Sequence, residues 1–244
     1  MKKITILLHT FLARFLLFII IIPLVPVVLA AACFSRKKRF SSVFLFRIVD
    51  FFYEIIVRCL FVPISYQGQE NMSKIPAIII ANHQSSLDIP LIGVTFSGAP
   101  HIWLARKELM KTVLLRWLLT VFAEVIDVHN RRSAALSLRK VISLAQQTKA
   151  HVVLFPEGSR SVNGELQPFF EGYFLLAKKL NRPVVPIFIY NVFNVYARGS
   201  FFIKRVPIQV VVGQPIHIDD YADEQSFKAT ISDWYDKQAK NIIK

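Results

Sequence analysis

Residues 15–34 form twenty consecutive positions without a charge, FLLFIIIIPLVPVVLAAACF. At about 1.5 Å per residue, such a helix is roughly 30 Å long, which matches the hydrocarbon core of a bilayer. We therefore predict an apolar helix over residues 4–34 that enters a membrane. Pro23 and Pro26 lie inside it, and membrane helices tolerate prolines.

A cleaved signal peptide is the alternative interpretation of this segment, since Ala30-Ala31-Ala32 offers a cleavage site. The basic cluster RKKR at residues 36–39 follows at once. Such clusters resist translocation and stay cytoplasmic, which favours an anchor over a signal peptide and places the following residues on the cytoplasmic side. The sequence leaves open whether this helix crosses the bilayer or dips into one leaflet together with the next helix.

Residues 40–62 carry their charges at helical spacing. Arg47, Asp50, Glu54 and Arg58 are three or four positions apart, so on a helix they form one narrow polar stripe. The pattern predicts an amphipathic helix over residues 40–62. It would lie at the membrane interface or pack on the first helix, or instead pack on the core of a globular domain. Residues 1–63 are interpreted as a membrane anchor.

Residues 64–244 alternate short apolar runs with longer amphipathic ones. The apolar runs predict six strands, at Ala77–Ala81, Ile102–Ala105, Val125–Val128, Val152–Phe155, Val184–Tyr190 and Ile208–Val212. The amphipathic runs predict four helices, at Glu108–Phe122, Ser133–Gln147, Phe170–Leu180 and Glu224–Lys240. This alternation predicts an α/β fold, a single layered domain whose mostly parallel mixed sheet is flanked by helices.

The charge balance changes the expected partner. The chain has a net charge of +14, with 54% apolar and 19% charged residues, which excludes a disordered chain. Nine basic and two acidic residues fall within residues 1–62, so half of the net charge surrounds the most apolar segment. Membrane lipids are therefore the predicted partner, rather than nucleic acid.

Several common kinds of site have no support in the sequence. Cys33 and Cys59 lack companions at metal-ligand spacing, and no two histidines stand four apart with a glutamate between them. We predict no metal site. The glycine-rich loops of nucleotide-binding proteins and the nucleophile elbow of hydrolases are absent as well.

His83 directly follows an apolar strand, within the run Asn82-His83-Gln84-Ser85-Ser86-Leu87-Asp88. Ligands bind at the carboxyl ends of strands in open α/β sheets. On a continuous helix His83 and Asp88 would lie about 140° apart. A turn followed by a helix beginning near Asp88 would let the carboxylate hold one ring nitrogen. Alternatively, Asp88 caps that helix or completes a capping box begun by Ser85.

A second polar segment, Phe155-Pro156-Glu157-Gly158-Ser159-Arg160-Ser161, also follows an apolar strand. Gly158 allows a ligand to approach the backbone, and Ser159 and Arg160 are donors suited to a phosphate. The alternative is a polar surface turn in which Glu157 only orients Arg160.

Together these motifs resemble those of the glycerophospholipid acyltransferase family, in particular its bacterial 1-acylglycerol-3-phosphate acyltransferases. The resemblance covers residues 60–215, with the further runs Ala105-Arg106-Lys107-Glu108-Leu109 and Val185-Pro186-Ile187. It implies transfer of an acyl chain from acyl-CoA or acyl-loaded acyl carrier protein to the hydroxyl of a lysolipid acceptor, without a cofactor, by a catalytic domain on the cytoplasmic side of a bacterial inner membrane. The implied catalytic residues are His83 and Asp88. The implied phosphate-binding residues are Glu157, Gly158, Ser159 and Arg160, with Arg106 or Lys107 as a second site.

Two positions depart from the family's pattern. Val128 stands where the family has arginine after Ile-Asp, and Arg131 or Arg132 is a candidate replacement. Phe170 stands where the family has lysine after Pro-Phe. The acceptor is therefore either lysophosphatidate or another lysolipid, such as a lyso-ornithine lipid or a lysophospholipid. A non-enzymatic peripheral lipid-binding protein is the alternative from another class.

Overall fold

A seven-stranded sheet organises the protein. The structure, a computed structural model, describes residues 3–111, 113–127 and 130–241. Within these ranges the strands are β1 (Ile64–Gln67), β2 (Ile78–Ala81), β3 (His101–Arg106), β4 (Ala123–Ile126), β5 (His151–Leu154), β6 (Val184–Tyr190) and β7 (Ile208–Val212). Their order across the sheet is β1-β7-β6-β2-β5-β3-β4, and β6 with β7 is the one antiparallel pair among them. The predicted mostly parallel mixed α/β sheet is confirmed.

Helices pack on both faces of the sheet. Within the described ranges they are α1 (Lys3–Ala32), α2 (Arg36–Ser41), α3 (Val43–Arg58), α4 (Asp88–Gly93), α5 (Val113–Phe122), α6 (Arg131–Thr148), α7 (Gly172–Leu180), α8 (Val192–Val195) and α9 (Glu224–Lys240). The four helices predicted beyond residue 64 are present. Residues 107–111 form a 3₁₀ turn before α5, so the predicted helix over Glu108–Phe122 begins later than expected.

The central strand β2 is buried on both faces, as its sequence IIIA requires. Successive side chains of a strand point to opposite faces. Accordingly, Ile79 packs in one hydrophobic cluster with residues of α3 and α4. Ile78 and Ile80 pack in a second cluster with residues of α6, α7 and α9. The Tyr235 hydroxyl of α9 contacts the carbonyl oxygens of Ile80 and Ile187 at 2.9 and 3.1 Å, which fixes this helix beneath β2 and β6.

The predicted strand boundaries are within two residues of the observed ones. The largest shift is in β4, which occupies Ala123–Ile126 where Val125–Val128 was predicted. Val128 lies outside the described residues. The sequence analysis missed β1, a four-residue edge strand whose side chains are alternately half-buried and exposed. So short a strand at an edge carries too weak an apolar pattern to be recognised.

The helix predicted over residues 40–62 is present as α3, Val43–Arg58, and is shorter than predicted at both ends. Two helices meet at Ser42, whose hydroxyl accepts a hydrogen bond from the Leu45 N–H at 3.2 Å and so caps α3. The basic cluster 36–39 forms most of α2, and two of its four side chains bind other groups of the protein. Arg36 pairs with Glu124 at 2.5 Å, and Arg39 is buried with its guanidinium on the Ala31 carbonyl. Lys37 and Lys38 remain exposed.

Helix α1 lies along the domain instead of projecting from it. Its buried positions, Thr10, Ala13, Ile20, Val28 and Ala31, follow one side of the helix. The His9 ring nitrogens contact the carbonyl oxygens of Leu60 and Ile203 at one end, and Ala31 packs near Val121 at the other. The remaining surface is apolar and exposed, and the helix is long and apolar enough to cross a membrane.

Helix α3 packs on the core of the domain and also has an exposed apolar surface, so it combines the core position and the interfacial position that the sequence left open. Phe46 and Val49 are buried in the domain's core, while Phe44 and Phe51 are exposed on other faces. Glu54 and Arg58 pair at 2.9 Å, as their spacing predicts. Asp50 instead accepts a hydrogen bond from the Gly98 N–H. Core packing therefore fixes α3 while part of its apolar surface stays outside.

Candidate active site

The Asp88 carboxylate organises the turn between β2 and α4, residues 82–87. Its Oδ2 atom accepts hydrogen bonds from His83 Nδ1 at 2.7 Å and from the backbone N–H groups of Gln84 and Ser85 at 2.8 and 2.9 Å. Asp88 is fully buried and is the first residue of α4. Asp88 is therefore not the cap of α4, because Leu87 occupies the N-cap position. Its Oδ2 holds the imidazole and also reaches back to the Ser85 N–H, as the glutamate or aspartate of a capping box does.

The imidazole of His83 is fixed in its plane as well as at Nδ1. The ring stacks on Phe155 at 3.8 Å between centroids with an interplanar angle of 11°. Because a carboxylate accepts from the Nδ1 proton, the lone pair of the neutral ring resides on Nε2. The side chain keeps 16% of its surface exposed. In the neutral ring, Nε2 is therefore the nitrogen that can accept a proton, and it belongs to a partly exposed side chain at the carboxyl end of β2.

Glu157 faces inward, away from solvent. It is 4% exposed, and its two oxygens accept hydrogen bonds from the backbone N–H groups of His83 at 2.6 Å and Gln167 at 3.0 Å. Burial raises the pKa of Glu157 to about 7, and Asp88 adds to the increase, while the two backbone hydrogen bonds oppose it. Each oxygen thus holds one backbone N–H group, and Glu157 joins the His83 backbone to the Gln167 backbone.

The loop between β5 and α7, residues 155–171, is joined to the 82–87 turn by further hydrogen bonds. The Ser161 N–H donates to the His83 carbonyl at 2.8 Å, and the Gln84 amide donates to the Gly164 carbonyl at 2.6 Å. Gly158 has a φ of +71°, and a Cβ there would meet the Phe170 ring at 3.0 Å. Only glycine fits this backbone without strain.

Arg106 and Lys107, the alternative cations at the end of β3, have different surroundings. Arg106 donates to the Gly158 carbonyl at 3.2 Å and pairs with Glu108 at 3.1 Å, which brings it to the 155–171 loop. Lys107 pairs with Asp127 beyond β4 at 2.9 Å. Of the two, Arg106 is the one in contact with the loop that carries Arg160.

Arg160 and Ser159 lie on the open side of the same loop. Arg160 is half-buried and Ser159 exposed. In the described part of the chain the Arg160 guanidinium has no hydrogen bond or ion pair, so its donors are available to an anion. Arg131 begins α6, and its side chain lies outside the described residues.

The sequence analysis missed two residues that hold this site. Asn82, 1% exposed, exchanges two hydrogen bonds with the backbone of Ile189 and thereby joins the end of β2 to β6. Phe155 supplies the face on which His83 stacks. Asn82 could have been found from the sequence, because it lies directly between an apolar strand and the candidate histidine. The stacking partner depends on tertiary contacts and has no sequence signal.

The other histidines within the described ranges have different surroundings. His101 and His151 are buried, and burial lowers their pKa values to about 3 and about 4. His9 has both ring nitrogens on backbone carbonyls, and His217 is exposed. His129 lies outside the described residues. No group of three potential metal ligands is found among the residues described.

Comparison with known proteins connects this geometry to a family. A family model described as "Acyltransferase" matches residues 63–190, the segment that contains both motif turns. In the structural comparison, the chain is similar to the crystal structure of the 1-acyl-sn-glycerophosphate (LPA) acyltransferase, PlsC, from Thermotoga maritima. The TM-score is 0.79 at 22% identity, over 99% of this chain and 98% of that one. This likeness shows the same fold.

Curated relatives agree with the family model. The chain is 32% identical over 161 residues to a 1-acyl-sn-glycerol-3-phosphate acyltransferase of Limnanthes alba, which is 66% of this chain and 57% of that protein. It is 31% identical over 159 residues to a protein of the same name from Borreliella burgdorferi, which is 64% of this chain and 60% of that protein. The match thus spans less than two thirds of these relatives' length. From the family model and these identities, the chain belongs to the acyltransferase family.

Proposed function

We propose that this protein transfers an acyl chain from an acyl thioester to the free hydroxyl of lysophosphatidate, giving phosphatidate. One observation carries this proposal. At the carboxyl ends of the central strands, the turn that holds the His83–Asp88 pair is hydrogen-bonded to the loop of Arg160, whose guanidinium has no partner among the described residues. The names of the curated relatives support the same reaction and the same acceptor.

His83 acts as the general base in this mechanism. An alcohol has a pKa near that of water, about 15.7, and imidazole one of about 6.5, so the histidine cannot hold a free alkoxide. Nε2 takes the hydroxyl proton while the oxygen attacks the thioester carbonyl. The C–O bond forms, the C–S bond breaks, and the imidazolium returns the proton to the leaving thiolate. General-base catalysis of this kind contributes about 10²–10⁴-fold.

Asp88 stabilises the imidazolium formed during this proton transfer. Its Oδ2 lies 2.7 Å from Nδ1, and a hydrogen bond to a charged group is worth about 1.5–3 kcal/mol. The mechanism needs no serine or cysteine nucleophile and no metal ion or cofactor. The N–H groups of His83, Gln84 and Ser85 are already bound to carboxylates. The developing oxyanion is therefore stabilised by other donors.

The acceptor's phosphate is held by Arg160, with Arg106 beside it. A guanidinium matches the geometry of phosphate oxygens and keeps its charge. Arg106 donates to the Gly158 carbonyl, so the two arginines belong to neighbouring strand ends. Glu157 supports them indirectly, because it holds the His83 backbone and the 155–171 loop together.

Membrane association brings the enzyme to its lipid acceptor. The buried stripe of α1 runs from Thr10 to Ala31, a distance of about 30 Å along the helix. If α1 crossed a bilayer, α3 and α5, which pack against it, would have to enter the hydrocarbon core with it. The packing therefore supports the arrangement in which α1 and α3 dip into one leaflet.

Another lysolipid acceptor remains the second candidate. The exposed Phe170 ring lies against Gly158, at the position where the family pattern has lysine. An apolar ring there removes one cation from the surroundings of the acceptor's headgroup. This favours a headgroup with less negative charge than a phosphate monoester.

A panel of acceptors with one radiolabelled acyl thioester tests the proposed function. We expect the highest kcat/KM with lysophosphatidate, and lower values with lysophosphatidylethanolamine and a lyso-ornithine lipid. Acyl-CoA and acyl-carrier-protein donors are compared in parallel by release of the free thiol. A higher kcat/KM with a zwitterionic acceptor would show that the second candidate, another lysolipid, is the substrate. Absence of acyl transfer to every acceptor would refute both.

The substitution His83→Ala is expected to reduce kcat by at least 10²-fold, since it removes the general base. Membrane association should stay as in the wild type, and circular dichroism should show the wild-type secondary structure. His217→Ala, at an exposed histidine, is the matched control and should keep full activity. Retention of more than a tenth of the wild-type kcat by the His83 variant would contradict the assigned base.

Arg160→Ala is expected to raise the KM for lysophosphatidate about 10- to 100-fold, because a hydrogen bond to a charged group is worth about 1.5–3 kcal/mol. The KM for the acyl donor should not change. Lys74→Ala, an exposed cation near the amino end of β2, serves as the control. An increase in the donor's KM alone would show that Arg160 binds the thioester instead.

Glu157 gives a pH dependence of stability. Because its pKa is raised from 4.5 to about 7 in the folded protein, its contribution to the free energy of unfolding is complete below pH 4.5 and is lost as the pH rises through about 7. Urea unfolding in detergent at pH 5 and pH 8 should therefore show a larger decrease for the wild type than for Glu157→Gln. Glu70→Gln, at an exposed position, should retain the wild-type decrease. Equal decreases in the wild type and the Glu157 variant would contradict the raised pKa.

A further inference from the structure

Residues 198–205, with the sequence RGSFFIKR, form an exposed loop between α8 and β7 that we call the aromatic-basic loop. Phe201 and Phe202 are 46% and 44% exposed at its tip. Three exposed cations flank them, Arg198 on one side and Lys204 and Arg205 on the other. The loop contains no acidic residue. Two adjacent exposed aromatic rings between cations are unusual for a surface that faces only water.

Hydrogen bonds order the backbone of this loop and keep the two aromatic rings exposed to solvent. The Lys204 N–H donates to the Val195 carbonyl at 2.9 Å, and the Ser200 hydroxyl contacts both the N–H and the carbonyl of Phe202. Ile203, the next residue, is buried. The chain therefore turns one apolar side chain into the core and presents its two neighbours outward.

The aromatic-basic loop is bound to helix α1. Arg14 donates to the Phe201 carbonyl at 2.8 Å, and its guanidinium lies 4.6 Å from the centre of the Phe201 ring. The Ile203 N–H donates to the Thr10 hydroxyl at 3.1 Å. Phe11 of α1 and Phe201 are 5.8 Å apart between ring centroids, in an edge-to-face arrangement. These contacts hold the loop against the helix.

These contacts make one apolar surface from two distant parts of the chain. Phe11, Phe15 and Phe18 of α1 are exposed, and their spacing places them on one side of the helix. Phe201 contacts Phe11 and so extends this apolar row sideways from the helix onto the loop. The exposed cations of the loop lie at its border, where they can reach the headgroups while the rings enter the acyl region.

We propose that the aromatic-basic loop is a second membrane-binding element, which inserts Phe201 and Phe202 into the headgroup–acyl boundary of an anionic bilayer. Charge complementarity supports an anionic lipid surface, since juxtamembrane lysines and arginines are attracted to such lipids. Continuity with the apolar surface of α1 supports a bilayer over a protein partner. The proposal concerns lipid contact and does not depend on the acyltransferase chemistry.

Insertion of this loop would set the height of the candidate active site above the lipid. The Tyr196 carbonyl, just before the loop, accepts a hydrogen bond from the Ser85 hydroxyl at 2.6 Å. Ser85 belongs to the 82–87 turn, which carries His83. The turn that carries His83 is therefore joined to the base of the membrane-inserted loop by the hydrogen bond between Ser85 and Tyr196.

A single indole placed in the loop tests the contact directly. The full-length Phe202→Trp protein is bound to phosphatidylcholine vesicles with about a third phosphatidylglycerol and a shallow nitroxide-labelled lipid. Subtraction of the wild-type signal removes the fluorescence of Trp103, Trp117 and Trp234. Ile75→Trp, at an exposed position before β2, is the control. We expect the introduced indole at position 202 to be quenched by the nitroxide and protected from aqueous iodide, with the reverse at position 75.

Two outcomes would overturn the proposal. Quenching of the indole at position 202 by iodide and not by the nitroxide would place the loop in water. Protection from both quenchers would indicate burial against protein, in a second copy or another partner.

A charge-reversed protein tests the electrostatic part. Lys204→Glu with Arg205→Glu, in the Phe202→Trp background, should lose at least half of the nitroxide quenching on the anionic vesicles. The matched control, Lys74→Glu with Lys149→Glu, has the same change in net charge at exposed positions elsewhere and should retain it. Equal quenching in the two charge-reversed proteins would refute recognition of anionic lipid by the loop.

Discussion

One carboxylate oxygen constrains the geometry on which the site depends. Asp88 Oδ2 accepts three N–H donors from residues 83–85, and it does so where water cannot compete. The chain must turn sharply after β2 to bring these donors to one atom, and α4 must begin at Asp88. The imidazole is thereby aimed outward from the sheet edge. A buried ionised group is tolerated only with such a set of partners, so the local fold and the position of His83 have the same cause.

The sequence predicted the sheet well because β2, β5 and β6 are short, apolar and buried on both faces, which leaves a strong signal. It failed at β1, whose edge position relaxes the apolar pattern, and it placed the start of α3 too early, because the Ser42 hydroxyl caps that helix. The pairing of His83 with Asp88 could be anticipated from spacing. The inward orientation of Glu157 could not, because it depends on which backbone N–H groups two distant loops bring to it.

The amino-terminal quarter is less separate from the domain than its composition suggests. Composition alone divides the chain at about residue 63, yet Phe40, Phe46 and Leu60 are among the most deeply buried side chains of the protein. Arg36 and Arg39, two of the four cations that were expected to meet lipid, bind groups of the protein instead. Three exposed cations far along the chain, Arg198, Lys204 and Arg205, belong to a loop that is hydrogen-bonded to the apolar helix α1. Charge counted along a sequence is therefore a poor guide to charge distributed over a surface.

The hydrogen bonds between the 82–87 turn and the 155–171 loop have a consequence for protein engineering. On the loop's side these bonds use two backbone groups, the Ser161 N–H and the Gly164 carbonyl, and one inward-facing side chain, the Glu157 carboxylate. The side chains of the loop that face outward can therefore differ without loosening the histidine. A relative's loop of equal length, exchanged as a cassette, would carry its own headgroup preference into this scaffold. Diversification of acceptors within such a fold needs no change in its proton-transfer apparatus.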